Sequence, residues 1–221
     1  VPISIKDLPP IDIVLISHNH YDHLDLSALK KLVALYNPKI FAGLGVDTYL
    51  KTKGVNAIGM DWWNTSDLNK QVRITYTPSQ HWSSRWGWDK NYTLWGGFMI
   101  DMTGFGQIYF AGDTGYNRTY LNQIRAKFPN IRLALLPIGA YKPRWFMAYA
   151  HMSPDEAVKA AITLESQQNI AIHYDVFNLA NEEYGEAPKD LALALQFQGK
   201  NSEYFQALIA GQGISLNPNI S

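Results

Sequence analysis

Apolar and polar positions along this chain follow two periods, one for helices and one for strands. Ile13, Val14, Leu15 and Ile16 succeed one another within 11–17, which predicts a strand covered on both faces, as in a sheet packed under helices. Leu26, Leu29, Leu32, Val33 and Tyr36 then recur at helical spacing and predict a helix over about 26–36. A short strand is expected at about 39–42, and a helix at about 47–53 that stops at Gly54. Strands follow at about 72–77, ended by Pro78, and at about 93–102 and 107–111, joined by a turn at Gly104-Phe105-Gly106. A helix at about 119–127 and a strand at about 133–137 come next. Ser153-Pro154-Asp155-Glu156 opens a helix reaching about 167: Ser153 can cap it, Pro154 suits the first helical position, and Glu156 completes a capping box. A strand at about 169–172 and a helix at about 189–197 finish the pattern. Nothing in it marks a repeat or a linker, so residues 1–221 read as one α/β domain with helices on the outer faces of its sheets.

Composition narrows the function classes. Lys plus Arg and Asp plus Glu number 19 each, and no basic stripe stands out, which argues against a nucleic-acid partner. No apolar run approaches the roughly 20 residues of a membrane span. Cysteine is absent, so disulfides and thiolate ligands are excluded. The amino end shows no signal-peptide pattern, and localisation stays open between cytoplasm and a peripheral membrane position.

Candidate chemistry collects where apolar runs end. Ser17-His18-Asn19-His20-Tyr21-Asp22-His23 closes the first strand and holds three of the chain's six histidines. Imidazole and carboxylate are the donors zinc takes when cysteine is missing. His81, Asp113 and His173 each follow a later apolar run as a single polar residue. Five imidazoles and two carboxylates are too many for one tetrahedral ion and suit two ions sharing a bridge. Asp25 is either an acceptor for a ligand's ring N–H or the cap of the helix that follows. Arg85 and Arg144 could steady a phosphate by paired hydrogen bonds or form exposed ion pairs. Trp82, Trp86, Trp88, Trp145 and Phe146 either fill the core or line a channel for an apolar substrate.

The ligand pattern resembles the metallo-β-lactamase superfamily, which implies a four-layer αβ/βα sandwich with a dinuclear site between its sheets. Carried across residue by residue, His18, His20 and His81 would hold one Zn2+ ion and Asp22, His23 and His173 the other. Asp113 would bridge them. Further motifs narrow the resemblance: Gln80-His81-Trp82-Ser83-Ser84-Arg85, Thr93-Leu94-Trp95-Gly96-Gly97-Phe98, Gly112-Asp113-Thr114-Gly115-Tyr116, Pro137-Ile138-Gly139-Ala140-Tyr141 through Trp145-Phe146-Met147, and His151-Met152-Ser153-Pro154. Together with the first cluster they are similar to the N-acyl-phosphatidylethanolamine-hydrolysing phospholipase D family and its bacterial relatives. Two departures stand out. The family's first strands are expected to be missing from this chain. Tyr174-Asp175-Val176-Phe177 also follows His173, where the family shows Trp-Gly-Thr-Phe.

The resemblance implies a dinuclear-zinc phosphodiesterase that acts on a lipid or small-molecule phosphodiester, attacking it with an ion-bridging hydroxide. Iron or manganese could replace zinc. Asp113 and His151 are the expected catalytic residues, His151 either protonating the leaving oxygen or holding a phosphate. Arg85, Trp82, Tyr141, Arg144 and Trp145 are the expected substrate contacts, and peripheral membrane contact is compatible with a lipid substrate. A lactonase or other carboxylic-ester hydrolase would use the same donors, and a non-catalytic metal-binding protein would also keep them.

Overall fold

A computed structural model describes residues 3–216. Its first half contains β1 (Ile13–Ile16), α1 (Leu26–Tyr36), β2 (Lys39–Gly43), α2 (Val46–Thr52) and β3 (Ile58–Met60). The three strands pair in parallel, in the order β1-β2-β3. Parallel neighbours need crossovers, and α1 and α2 supply them. The rest of the chain contributes β4 (Thr65–Asp67), β5 (Val72–Thr77), β6 (Gly97–Met102), β7 (Gly106–Phe110), α3 (Arg118–Lys127), β8 (Ile131–Pro137), α4 (Arg144–Met147), α5 (Pro154–Leu164), β9 (Gln168–Ile172), α6 (Glu186–Phe197) and β10 (Phe205–Gln206). These strands form a seven-stranded sheet ordered β10-β9-β8-β7-β6-β5-β4.

Three apolar interfaces hold four layers together. The first packs Ile16, Ile40 and Ala42 against Leu29, Val46 and Leu50 of α1 and α2. The second lies between the sheets, where Phe41 and Met60 meet Ile74, Tyr76 and Phe98. The third sets Met99, Tyr109, Ala134 and Leu136 against Leu121, Ile124, Val158 and Leu191 of α3, α5 and α6. Strand β1 shows why its sequence is apolar throughout. Val14 and Ile16 face the helices while Ile13 and Leu15 face the other sheet, so both sides are packed against apolar neighbours. The α/β four-layer sandwich implied by the sequence is the fold.

Several boundaries differ from expectation for local reasons. Residues 93–96 are not strand: Leu94 N–H donates to Leu44 O and Gly96 N–H to Ser17 O, so this segment leaves its own sheet to reach the other before β6 begins. Strands β3, β4 and β10 are two or three residues long, too short to show alternation. α6 starts three residues earlier than expected, at Glu186, because Pro188 falls in its first turn, where the missing N–H costs no helical bond. α5 ends at Leu164, with Glu165 in the left-handed region at φ 52°. Its capping box forms as expected, Ser153 Oγ and the Glu156 carboxylate each accepting the other residue's backbone N–H. Among the described residues, no helix is long and apolar enough to cross a membrane.

Phe41 is 1% exposed and is the largest side chain that β2 places between the sheets. Phe41→Ala is expected to cost about 3–5 kcal/mol by leaving a cavity there. Urea unfolding should report a lower midpoint with an unchanged slope.

Candidate metal centre

β5 and β7 both run antiparallel to β6, and β8 and β9 run parallel to β7, so these four strands end at one edge. His81 lies past the end of β5, Asp113 past β7 and His173 past β9. The end of β1, with the cluster from His18 to His23, is drawn to the same edge. The buried Tyr76 hydroxyl donates to Ser17 O at 2.8 Å, and Gly96 N–H donates to it at 3.0 Å. Two glycines permit the crowding. A Cβ on Gly112 (φ 62°) would lie 2.7 Å from Ser17 Cβ, and one on Gly139 would lie 1.9 Å from His173 O.

All seven predicted donors converge, in two groups. His18 Nε2 and His81 Nε2 lie 2.9 and 3.3 Å from His20 Nδ1. His23 Nε2 and His173 Nε2 lie 3.2 and 3.3 Å from Asp22 Oδ2. Asp113 Oδ2 touches both groups, at 3.9 and 3.7 Å from His18 and His81 and at 3.1 and 3.2 Å from His23 and His173. Donors about 2.0–2.1 Å from a tetrahedral zinc stand about 3.3 Å from one another, which matches these separations. The outer atoms fit as well. His81 Nδ1 lies 2.9 Å from Ala150 O and must donate to it, so its Nε2 lone pair points into the cluster. His20 Nε2, His173 Nδ1 and Asp113 Oδ1 are buried without a hydrogen-bond partner, as is His23 Nε2, which approaches both carboxylates off the hydrogen-bond line. The residues fit divalent cations.

The electrostatics divide along the same lines. Burial holds the His18 ring well below the ordinary 6.5, with His23 and His81 adding to the effect. Burial takes His81 to about 3, against the pull of Asp113, and His151 to about 4. His23 behaves oppositely: burial disfavours its charge, but Asp113 and Asp22 carry it up to about 10. His173 is raised as well, since Asp113 and Asp22 outweigh its burial. Both carboxyls would rise on burial, but the His173 and His23 rings hold them well below the usual carboxylate range. One half of the cluster is thus neutral imidazole offering lone pairs. In the other half protons stand where a cation would replace them.

Residues 1–174 match the family described as Beta-lactamase superfamily domain. The chain belongs to this superfamily. It is 36% identical over 200 residues to N-acyl-phosphatidylethanolamine-hydrolyzing phospholipase D 1 of Caenorhabditis elegans, over 86% of this chain and 56% of that protein. The mitochondrial N-acyl-phosphatidylethanolamine-hydrolyzing phospholipase D of Saccharomyces cerevisiae is 33% identical over 204 residues, or 90% of this chain and 44% of that protein. The chain therefore spans about half the length of these curated relatives. Among solved structures, the metallo hydrolase Igni18 of Ignicoccus hospitalis superposes with a TM-score of 0.72 over 94% of this chain and 80% of that one. At 23% identity this is a likeness of fold.

This superfamily member uses several predicted substrate residues in other ways. Arg85 is buried, and its Nη1 donates to Asn19 O and Leu24 O rather than facing a phosphate. Arg144 donates to Tyr141 O, His151 O and the Glu156 carboxylate, strapping the turn that leads into α5. Tyr141 is buried in the helix-side core with its hydroxyl donating to Asp190. Asp25 caps α1, its Oδ1 accepting Ser27 and Ala28 N–H. A side chain's neighbours across the fold leave no mark on its own segment, so sequence could not separate these roles. Trp82 stays beside the cluster, edge-on to His20 with ring centres 4.3 Å apart, while Trp145 is 86% exposed on α4. His151 extends the cluster: its ring lies 5.1 Å from that of His81, and its Nδ1 is buried without a partner. A cleft of about 740 Å³ opens beside His173, where Val176, Phe177 and Leu179 stand among Asp175, Asn178 and Glu183. Sequence reasoning missed this lining. Its one signal was the departure from the family pattern at 174–177.

The opposed shifts set the pH response of chelator-stripped protein. Rings held low, His81 and His151 above all, are neutral in the fold but take protons once unfolded, so stability falls as pH drops below 6.5 toward 4. His23, held up at about 10, contributes stability that is complete below 6.5 and lost as pH rises through 10. Thermal melts from pH 4.5 to 10 are expected to peak near 6.5, the ordinary imidazole value, and substituting His23 should flatten the alkaline limb.

Proposed function

We propose that this chain is the catalytic region of a two-ion hydrolase that cleaves a phosphodiester in the manner of a phospholipase D, on a lipid of N-acyl-phosphatidylethanolamine type. The observation carrying this reading is Asp113 Oδ2, shared between one group of three imidazoles and a second group of two imidazoles and a carboxylate. One ion could not use all seven donors, whereas two ions joined by Asp113 use every one. Zinc is the ion that such nitrogen-rich, thiolate-free sites suit. The names of the Caenorhabditis and Saccharomyces relatives support the phosphodiester and the lipid. The same reading takes residues 1–221 as a single hydrolase domain.

In this reading His18, His20 and His81 would hold one ion, Asp22, His23 and His173 the other, and Asp113 would be shared by both. When bound, such a pair lowers the pKa of a water from 15.7 to about 7 and neutralises charge on phosphoryl oxygens. Asp113, whose Oδ2 lies between the two groups, would orient the attacking water and accept its proton. His151 is neutral near pH 7, because burial lowers it to about 4, so its ring N–H holds a phosphoryl oxygen rather than delivering a proton to the leaving group. Trp82 walls one side of the His20 ring. Val176, Phe177 and Leu179 in the cleft beside His173 would take a hydrocarbon part of the substrate.

Full-length protein loaded with zinc should bind two ions per chain and release the alcohol from an N-acyl-phosphatidylethanolamine. Chelation should abolish this turnover and added zinc restore it. A lactone series turned over in place of the phosphodiester would overturn the substrate assignment. His151→Ala with full metal content should lower kcat/KM by about 10²–10³-fold, as loss of one donor to a charged oxygen does.

A further inference from the structure

We propose that Arg85 is a positioning residue that shapes the segment 18–23 for its ions before they arrive. Inside this segment His23 and Leu24 N–H both donate to His20 O, closing a single turn. The carbonyls of Asn19 and Leu24, at the two ends of that turn, need partners of their own because both residues are buried. One guanidinium nitrogen serves both: Arg85 Nη1 donates to Asn19 O at 2.9 Å and to Leu24 O at 3.0 Å. Arg85 Nε donates to the Tyr49 hydroxyl of α2 at 3.1 Å, and the Tyr21 ring covers the guanidinium with its centre 4.1 Å away.

The arginine is itself anchored. Both Asp89 carboxylate oxygens accept Arg85 N–H, at 2.9 and 3.0 Å, and Asp89 also takes Ser84 Oγ and Trp86 N–H. Arg85 stands four residues after His81, on the loop that leaves β5. It therefore ties the loop carrying one donor of the first group to the turn carrying Asp22 and His23 of the second. Without the clamp, only a fraction of molecules would hold these donors in register, and apparent ion affinity would fall by that fraction. Lysine cannot replace it fully, since a single ammonium lacks the rigid fork that reaches Tyr49 and the carbonyls together.

This inference rests on the two-ion reading through its donor set alone, whatever the substrate. The test titrates chelator-stripped full-length protein with zinc against a chromophoric chelator, and follows amide exchange of residues 19–24. Arg85→Met is expected to bind zinc about 10–100-fold more weakly and to exchange faster at 19–24, with Arg85→Lys between it and the unaltered protein. Unchanged affinity and exchange in Arg85→Met would overturn the proposal and leave the two-ion reading standing. Should Arg85→Met fail to fold, Arg85→Lys decides by the same two measurements: weaker binding supports the clamp and unaltered values overturn it. An unaltered chain that takes up no zinc would overturn the metal reading, and the clamp with it.

Discussion

A carboxylate oxygen removed from water and ringed by four imidazole nitrogens is the constraint to which the rest of this fold answers. Asp113 is 2% exposed, and its Oδ2 lies between 3.1 and 3.9 Å from His18, His81, His23 and His173. Burying a charge of this kind costs several kcal/mol unless positive charge is brought to it. In the bare protein Asp113 and Asp22 favour the charged form of the His23 and His173 rings, and the spacing of the donors suits divalent cations that would meet that need better. A cluster so dense in lone pairs and charge cannot hold itself together, so its geometry has to be imposed by neighbouring parts of the fold.

Much of the surrounding polar structure does this. The hydroxyl of Tyr76 on β5 and the N–H of Gly96, just before β6, meet at Ser17 O and dock the end of β1 beside the ends of β5 and β7. Arg144 binds Tyr141 O, His151 O and Glu156, which links the loop after β8 to the cap of α5. Ala150 O orients His81. Gly112 and Gly139 let backbones approach where any side chain would collide. Arg85 and Arg144 both donate to main-chain carbonyls of the loops around the cluster. The walls of the cleft come from residues 174–184, where exposed Val176 and Phe177 hold no layer together. Shape beside His173 is thus free to vary without disturbing the donors.

That these seven side chains would meet was legible because the 18–23 cluster, His81, Asp113 and His173 each follow an apolar run, and strand ends at one sheet edge are neighbours in space. The αβ/βα layering was legible for a related reason. A run such as Ile13 to Ile16 can be apolar throughout only if both its faces are covered, and apolar side chains of α1 and α2 on one side and of the other sheet on the other do pack against β1. The boundaries that went astray lie where tertiary pairing overrides local pattern. Residues 93–96 look like strand but bond to Leu44 and Ser17 of the other sheet, and Asp25 has chemistry for two roles but spends its Oδ1 on capping α1.

Sequence alone therefore determined which side chains can bind cations and which segments must be buried, since both follow from residue type and short-range periodicity. Only the tertiary structure decided that Asp113 Oδ2 stands between two groups of donors, that Arg85 faces two carbonyls, and that Tyr141 lies in the core. Each of these depends on contacts between segments tens of residues apart, and a side chain's local pattern carries no record of the partner it meets across the fold.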